Sequence, residues 1–122
     1  MTRKDIAKKF LRLCATGKVA QAYERCVAPG FKHHNPWFKG DAASLRAGME
    51  EAAAKFPGTT IAFQRAFEDG NLVAVHSKVQ HGPKARPVSV VHIMRFRGER
   101  IVELWDIGVE EPEDSPNENG LF

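Results

Sequence analysis

Four side chains in this sequence can move protons or hold a metal: His34, His76, His92 and Asp106. Histidine titrates near neutral pH and serves as acid or base. An aspartate walled in by apolar groups becomes a stronger base than one in water. Three imidazoles and one carboxylate are also a ligand set for a single metal ion. The chain has no helical H-x-x-x-H and no tight Cys/His cluster, so every ligand of such a site would be distant in sequence. It has no G-x-S-x-G nucleophile motif either. Acid–base chemistry without a metal or organic cofactor is one use open to these residues. A non-catalytic module for a small apolar ligand, a mononuclear metal-binding protein and a dimerisation domain remain as alternatives.

These residues need elements to position them. Ile6, Phe10, Leu13 and Cys14 follow one helical face, with Thr2 as cap, Asp5 near the start and Gly17 at the end. Val19, Tyr23, Cys26 and Val27 repeat the spacing up to Pro29-Gly30. A third helix runs from an Asp41 cap to Phe56, with Leu45, Met49, Ala52 and Ala53 on its stripe. The period then changes. Ile61, Phe63 and Phe67 read as a strand, Glu68–Asn71 as a turn, and Leu72–Val79, Val88–Phe96 and Ile101–Val109 as three more strands. Helices followed by an antiparallel meander give an α+β domain over residues 1–110, ahead of an acidic irregular tail, 111–122.

Strand parity tests whether the four residues can meet. His76 alternates with Leu72 and Ala74, His92 with Val88, Val90, Met94 and Phe96, and Asp106 with Val102 and Leu104. Each polar group falls among apolar neighbours, as a pocket-lining group would. Ile101, Glu103, Trp105 and Ile107 share the other face of the last strand. Ser77 and Ser89 fall opposite His76 and His92, which disfavours a serine–histidine pair. Both faces of Leu72–Val75 and Val88–Met94 are largely apolar, whereas a sheet with one wet face alternates cleanly. The second face therefore expects a cover: a second copy, giving a homodimer through the back of the sheet, or the tail.

The 122 residues suffice for one core, with 43% hydrophobic and 27% charged residues and a net charge of +3. The basic residues show no stripe with interleaved aromatics, which argues against nucleic acid. No segment reads as a membrane span or a signal peptide, which gives the cytoplasm as the default location. Cys14 and Cys26 read as small buried hydrophobes.

Several stretches together carry a resemblance: HNP at His34–Pro36, DGNLVAVHSKV at Asp69–Val79, FRGERIVELWDI at Phe96–Ile107, and the final NGLF. The chain resembles the SnoaL-like polyketide cyclase group of the nuclear transport factor 2-like superfamily, which also holds ketosteroid isomerase. The resemblance implies a cone-shaped, strongly curved antiparallel sheet closed by three helices, a cystatin-like roll around a pocket. It implies proton transfer next to a carbonyl, of aldol or isomerisation type, with an aspartate as general acid/base, a role that falls on Asp106. The expected ligand is a small apolar or carbonyl-containing molecule.

Within that shape the connector KHHNPWFKG, Lys32–Gly40, has a task. It folds over the mouth and delivers His34 to the pocket, Pro36 biases Asn35 to extended geometry, and Trp37 and Phe38 form an apolar lip. Asn35, Trp37, Phe38, Val90, Met94 and Leu104 are the expected pocket lining. His33 is expected in solvent and His81 inert. Each histidine has a plainer use, as a satisfied core group or a loop hydrogen bond. Asp106 has one as well, a pair with Arg95 or Arg100.

Overall fold

The computed structural model describes residues 1–122. It begins with α1 (Arg3–Ala15), whose start is set by a reciprocal cap. The Thr2 hydroxyl accepts from the Asp5 amide at 3.1 Å, and the Thr2 amide donates to the Asp5 carboxylate at 3.0 Å. Next come α2 (Val19–Cys26), β1 (Val27–His34), α3 (Ala42–Lys55), β2 (Thr60–Asp69), β3 (Leu72–Gln80), β4 (Val88–Arg97) and β5 (Arg100–Glu110). Asp41 caps α3 by accepting from the Ser44 amide at 2.7 Å.

The strands form one curved, unclosed sheet in the order β1-β5-β4-β3-β2. The meander of β2 to β5 is antiparallel, as the sequence predicts, but β1 pairs parallel to β5 and had been read as a helix end and a connector. Pro29-Gly30 is where the two readings part. Between the Val27–Ile101 and Lys32–Glu103 pairings β1 advances five residues while β5 advances two. The pair therefore sits in a bulge of an edge strand rather than at a terminus. Proline lacks a ladder donor and is tolerated there, and Gly30 takes a φ of +79°.

Two further bulges decide which residues face the helices. Val102 is the extra residue where β5 crosses Arg95/Phe96, which turns both Ile101 and Leu104 inward. Ile101 had been assigned to the back of the sheet and is instead fully buried. Gln64 is extra in β2, so Ile61, Phe63 and Ala66 face the helices while Phe67 stands outside, 65% exposed. The inner face carries Val73, Val75 and Ser77 on β3, Val90, His92, Met94 and Phe96 on β4, and Leu104 and Asp106 on β5. Phe10, Leu11, Val19, Tyr23 and Leu45 pack onto it. Each large apolar side chain so buried contributes about 1.5–3 kcal/mol. Met94 and Leu104 are fully enclosed in this core and line no cavity, contrary to the sequence expectation.

Cys14 and Cys26 are both free thiols, and no helix is long and apolar enough to cross a membrane. Beyond Glu110 the chain is irregular. It returns across the outer face, where Phe122 stacks on His76 with ring centroids 5.8 Å apart.

Candidate functional site

His92 and Asp106 are directly paired across β4 and β5, both on the inner face. His92 Nε2 lies 3.4 Å from Asp106 Oδ1, a polar contact longer than an ordinary hydrogen bond. His92 Nδ1 is buried with no partner. Burial holds the His92 pKa below its usual value, against the opposing pull of Asp106, so the ring is neutral at pH 7.

The second carboxylate oxygen is held from the connector. Asn35 Nδ2 donates to Asp106 Oδ2 at 2.9 Å. Asn35 is itself fixed twice more: its amide donates to His33 Nδ1 at 3.0 Å, and its Oδ1 accepts from the Trp37 amide at 3.0 Å. His33 is not in solvent. It is buried, 5% exposed, and its Nε2 donates to the Lys39 carbonyl at 2.7 Å, which leaves Nδ1 as the acceptor for Asn35. The HHNPW run thus presents an amide to Asp106 rather than an imidazole.

His34 lies on the other side of the sheet. Its Nε2 is 2.7 Å from Glu103 Oε2 and its ring stacks on Trp105 at 5.1 Å. Arg95 and Lys32 reach the same Glu103, which lowers the Glu103 pKa, chiefly through the His34 bond. Arg95 therefore does not pair Asp106, and Arg100 donates to the Glu24 and Val27 carbonyls instead. His76 is also outside. It contacts Arg65, bonds Ser89 Oγ at 2.7 Å, and has its pKa lowered by burial and then by Arg65. The parity count had the alternation right and the side wrong for His76: Val73, Val75 and Ser77 are the residues facing the helices. The serine–histidine expectation fails for the same reason. One pair forms across strands, Ser89 with His76 on the outer face, while Ser77 sits opposite Val90 on the inner face with its Oγ buried and unpartnered.

A cavity of about 140 Å³ opens between α1, α3 and the strands. Leu11, Cys14, Met49, Ile61 and Val79 form its walls, and His92 is the one predicted site residue that lines it. Trp37 points into solvent at 84% exposure, and Phe38 packs on Gly48 of α3, where an added Cβ would sit 2.3 Å from the Phe38 ring. Neither makes a lip to this cavity. His34, His76, His92 and Asp106 are divided between two faces, and no group of three potential metal ligands forms anywhere in the chain.

Tyr23 escaped the sequence reading because it sits on an apolar helical stripe and passes for core. It packs edge-on to Phe10 and Phe31, and its hydroxyl contacts only Met49 Sδ, at 3.3 Å. Burial pushes its pKa up, with smaller contributions from Cys14 and Asp106, so it remains a donor. Burial likewise pushes Cys14 up to about 12, which leaves no thiolate in the cavity wall at neutral pH.

A family profile described as SnoaL-like domain matches residues 7–104. No curated protein sequence matches the chain. Among solved structures, a cystatin-fold protein from Novosphingobium aromaticivorans superposes with a TM-score of 0.74 at 20% identity, covering 88% of this chain and 98% of its own. IdmH, a candidate polyketide cyclase from Streptomyces antibioticus, gives 0.72 at 23%, covering 88% and 92%. A candidate polyketide cyclase from Acidithiobacillus ferrooxidans gives 0.71 at 23%, covering 87% of each chain. At these identities the likeness is one of fold.

Proposed function

The chain belongs to the SnoaL-like domain family, and from that premise we propose that it is a small-molecule pocket protein that moves a proton next to a carbonyl, as a cyclase or isomerase does. The observation that carries the reading is the inward-facing pair of buried His92 and half-buried Asp106, 3.4 Å apart, with His92 in the cavity wall. The proton leaves the carbon beside the carbonyl and arrives on this pair. If His92 takes it, the imidazolium forms against the Asp106 carboxylate, which stabilises it. Asn35 holds the carboxylate by its other oxygen. Catalysis by His34 and His76, both on the outer face, forms no part of this reading.

The test is deuterium exchange. Simple ketones, from acetone and cyclohexanone to 1-tetralone, are incubated with the protein in D₂O, and loss of the α-proton signal is followed by NMR. Exchange above the buffer rate is expected, lowered roughly 10²–10⁴-fold in Asp106→Asn and His92→Gln. Exchange that survives both substitutions would sink the assignment. The mostly apolar cavity wall favours a second reading, a non-catalytic binder, which predicts ligand binding with no exchange.

The same proposal retains a homodimer through the outer face of the sheet, supported by Phe67, Ile107 and Val109, all more than half exposed. Light scattering should give a dimer for the wild type and a monomer for Phe67→Glu. A monomeric wild type rejects it.

A further inference from the structure

The polar groups around the cavity can be accounted for one at a time. The Thr59 hydroxyl donates to the Phe56 carbonyl at 2.8 Å, and its oxygen lies 3.1 Å from His81 Nδ1, so these two are committed to each other and to backbone. The exposed His81 ring lies against Phe56, centroids 4.9 Å apart, which marks the side on which the cavity opens. The Cys14 thiol is half-buried and stays protonated. Eight of the eleven lining residues are hydrophobic. What remains for a ligand is one polar point, the His92 ring.

Volume sets the second limit. The cavity holds about 140 Å³, and an apolar cavity of about 150 Å³ accommodates one benzene-sized molecule. We propose that this cavity takes a compound the size of a single six-membered ring, apolar over most of its surface and carrying one carbonyl or hydroxyl group beside His92, in preference to fused-ring scaffolds. The proposal deepens the functional reading above and rests on it for the placement of that group, while the size preference stands on the cavity alone.

The experiment titrates cyclohexanone and phenol, and in parallel 1-tetralone, 1-naphthol and anthrone, into the full chain. It follows ¹H–¹³C methyl signals of Met49, Ile61 and Val79 by NMR. The single-ring compounds are expected to shift these signals and to bind at least about tenfold more tightly than the fused-ring ones, a difference of about 1.4 kcal/mol. Ala53→Leu places extra methyl groups in the cavity wall and should weaken cyclohexanone at least about tenfold, with Ala52→Leu as a second variant should the first fail to fold. Equal or tighter binding of the fused-ring compounds overturns the proposal. So does cyclohexanone binding that moves none of the three methyl signals or ignores both leucine variants. Binding of cyclohexanone at this site without deuterium exchange supports the size limit and removes the proton-transfer reading. Exchange confined to fused-ring ketones does the reverse.

Discussion

Acidification should destabilise this protein through His92, by an amount the structure bounds. The ring is 8% exposed, and burial keeps its pKa below the ordinary 6.5 despite Asp106. In the unfolded chain the same ring protonates as the pH falls through about 6.5. The unfolded state then binds a proton that the folded state refuses, so stability falls as the pH falls. The change in the folding constant between pH 7.5 and 5.5 is at most about tenfold, the limit set by full protonation of the unfolded ring alone. His76 is shifted in the same direction and adds to the limb. Glu103 does not act in this window: its lowered pKa gives stability that is lost only as the pH falls below about 4.5. Urea denaturation followed by tryptophan fluorescence, at one protein concentration, would compare wild type, His92→Gln and His76→Gln at the two pH values. His92→Gln should lose less stability than wild type on acidification, by up to about tenfold in the folding constant. An unchanged acid loss in His92→Gln would mean that the folded ring protonates as readily as the unfolded one, and the buried neutral histidine would be wrong.

Two further substitutions probe the packing around the site. Ser77→Ala removes a buried hydroxyl without a partner, whose burial costs roughly 1–3 kcal/mol, so the variant should melt a few degrees higher, and a lower Tm would mean that Ser77 is satisfied in solution. Gly48→Ala puts a methyl 2.3 Å from the Phe38 ring while adding about 1 kcal/mol of helix propensity. Overall stability should hold while Phe38 and the Asn35 side-chain amide shift in NMR spectra, and unshifted signals would show that Phe38 does not rest on Gly48.

Much of the architecture is written in periodicity. The helical stripes with their Thr2 and Asp41 caps, and the antiparallel order of the last four strands, follow from residue spacing alone. β1 does not, because Pro29 and Gly30 carry the local signature of a helix stop and become a bulge only when β5 supplies a partner. Bulges erase parity in the same way. One extra residue at Val102 moves Ile101 into the core, and nothing in Arg100–Glu103 announces it.

The site was legible where one strand pairs with its neighbour and illegible where side had to be assigned. His92 and Asp106 could be placed together because parity along each strand is a local property. His76 could not, because both faces of β3 are apolar and only the helices decide which is inner. The connector shows how much a single position matters. In β1, His33 pairs with Leu104 and turns inward, while His34 pairs with Trp105 and turns outward. A strand alternates strictly, so two adjacent histidines must take opposite sides. The inner one then accepts the Asn35 amide, and the outer one joins Glu103. A doublet of histidines followed by asparagine therefore does two separate jobs: one ring orients the amide that holds Asp106, and the other ties the edge strand to the ionic cluster behind the sheet. Replacing His33 should loosen Asp106 without touching that cluster, and replacing His34 should do the opposite, which a reading of HHNPW as one catalytic motif cannot accommodate.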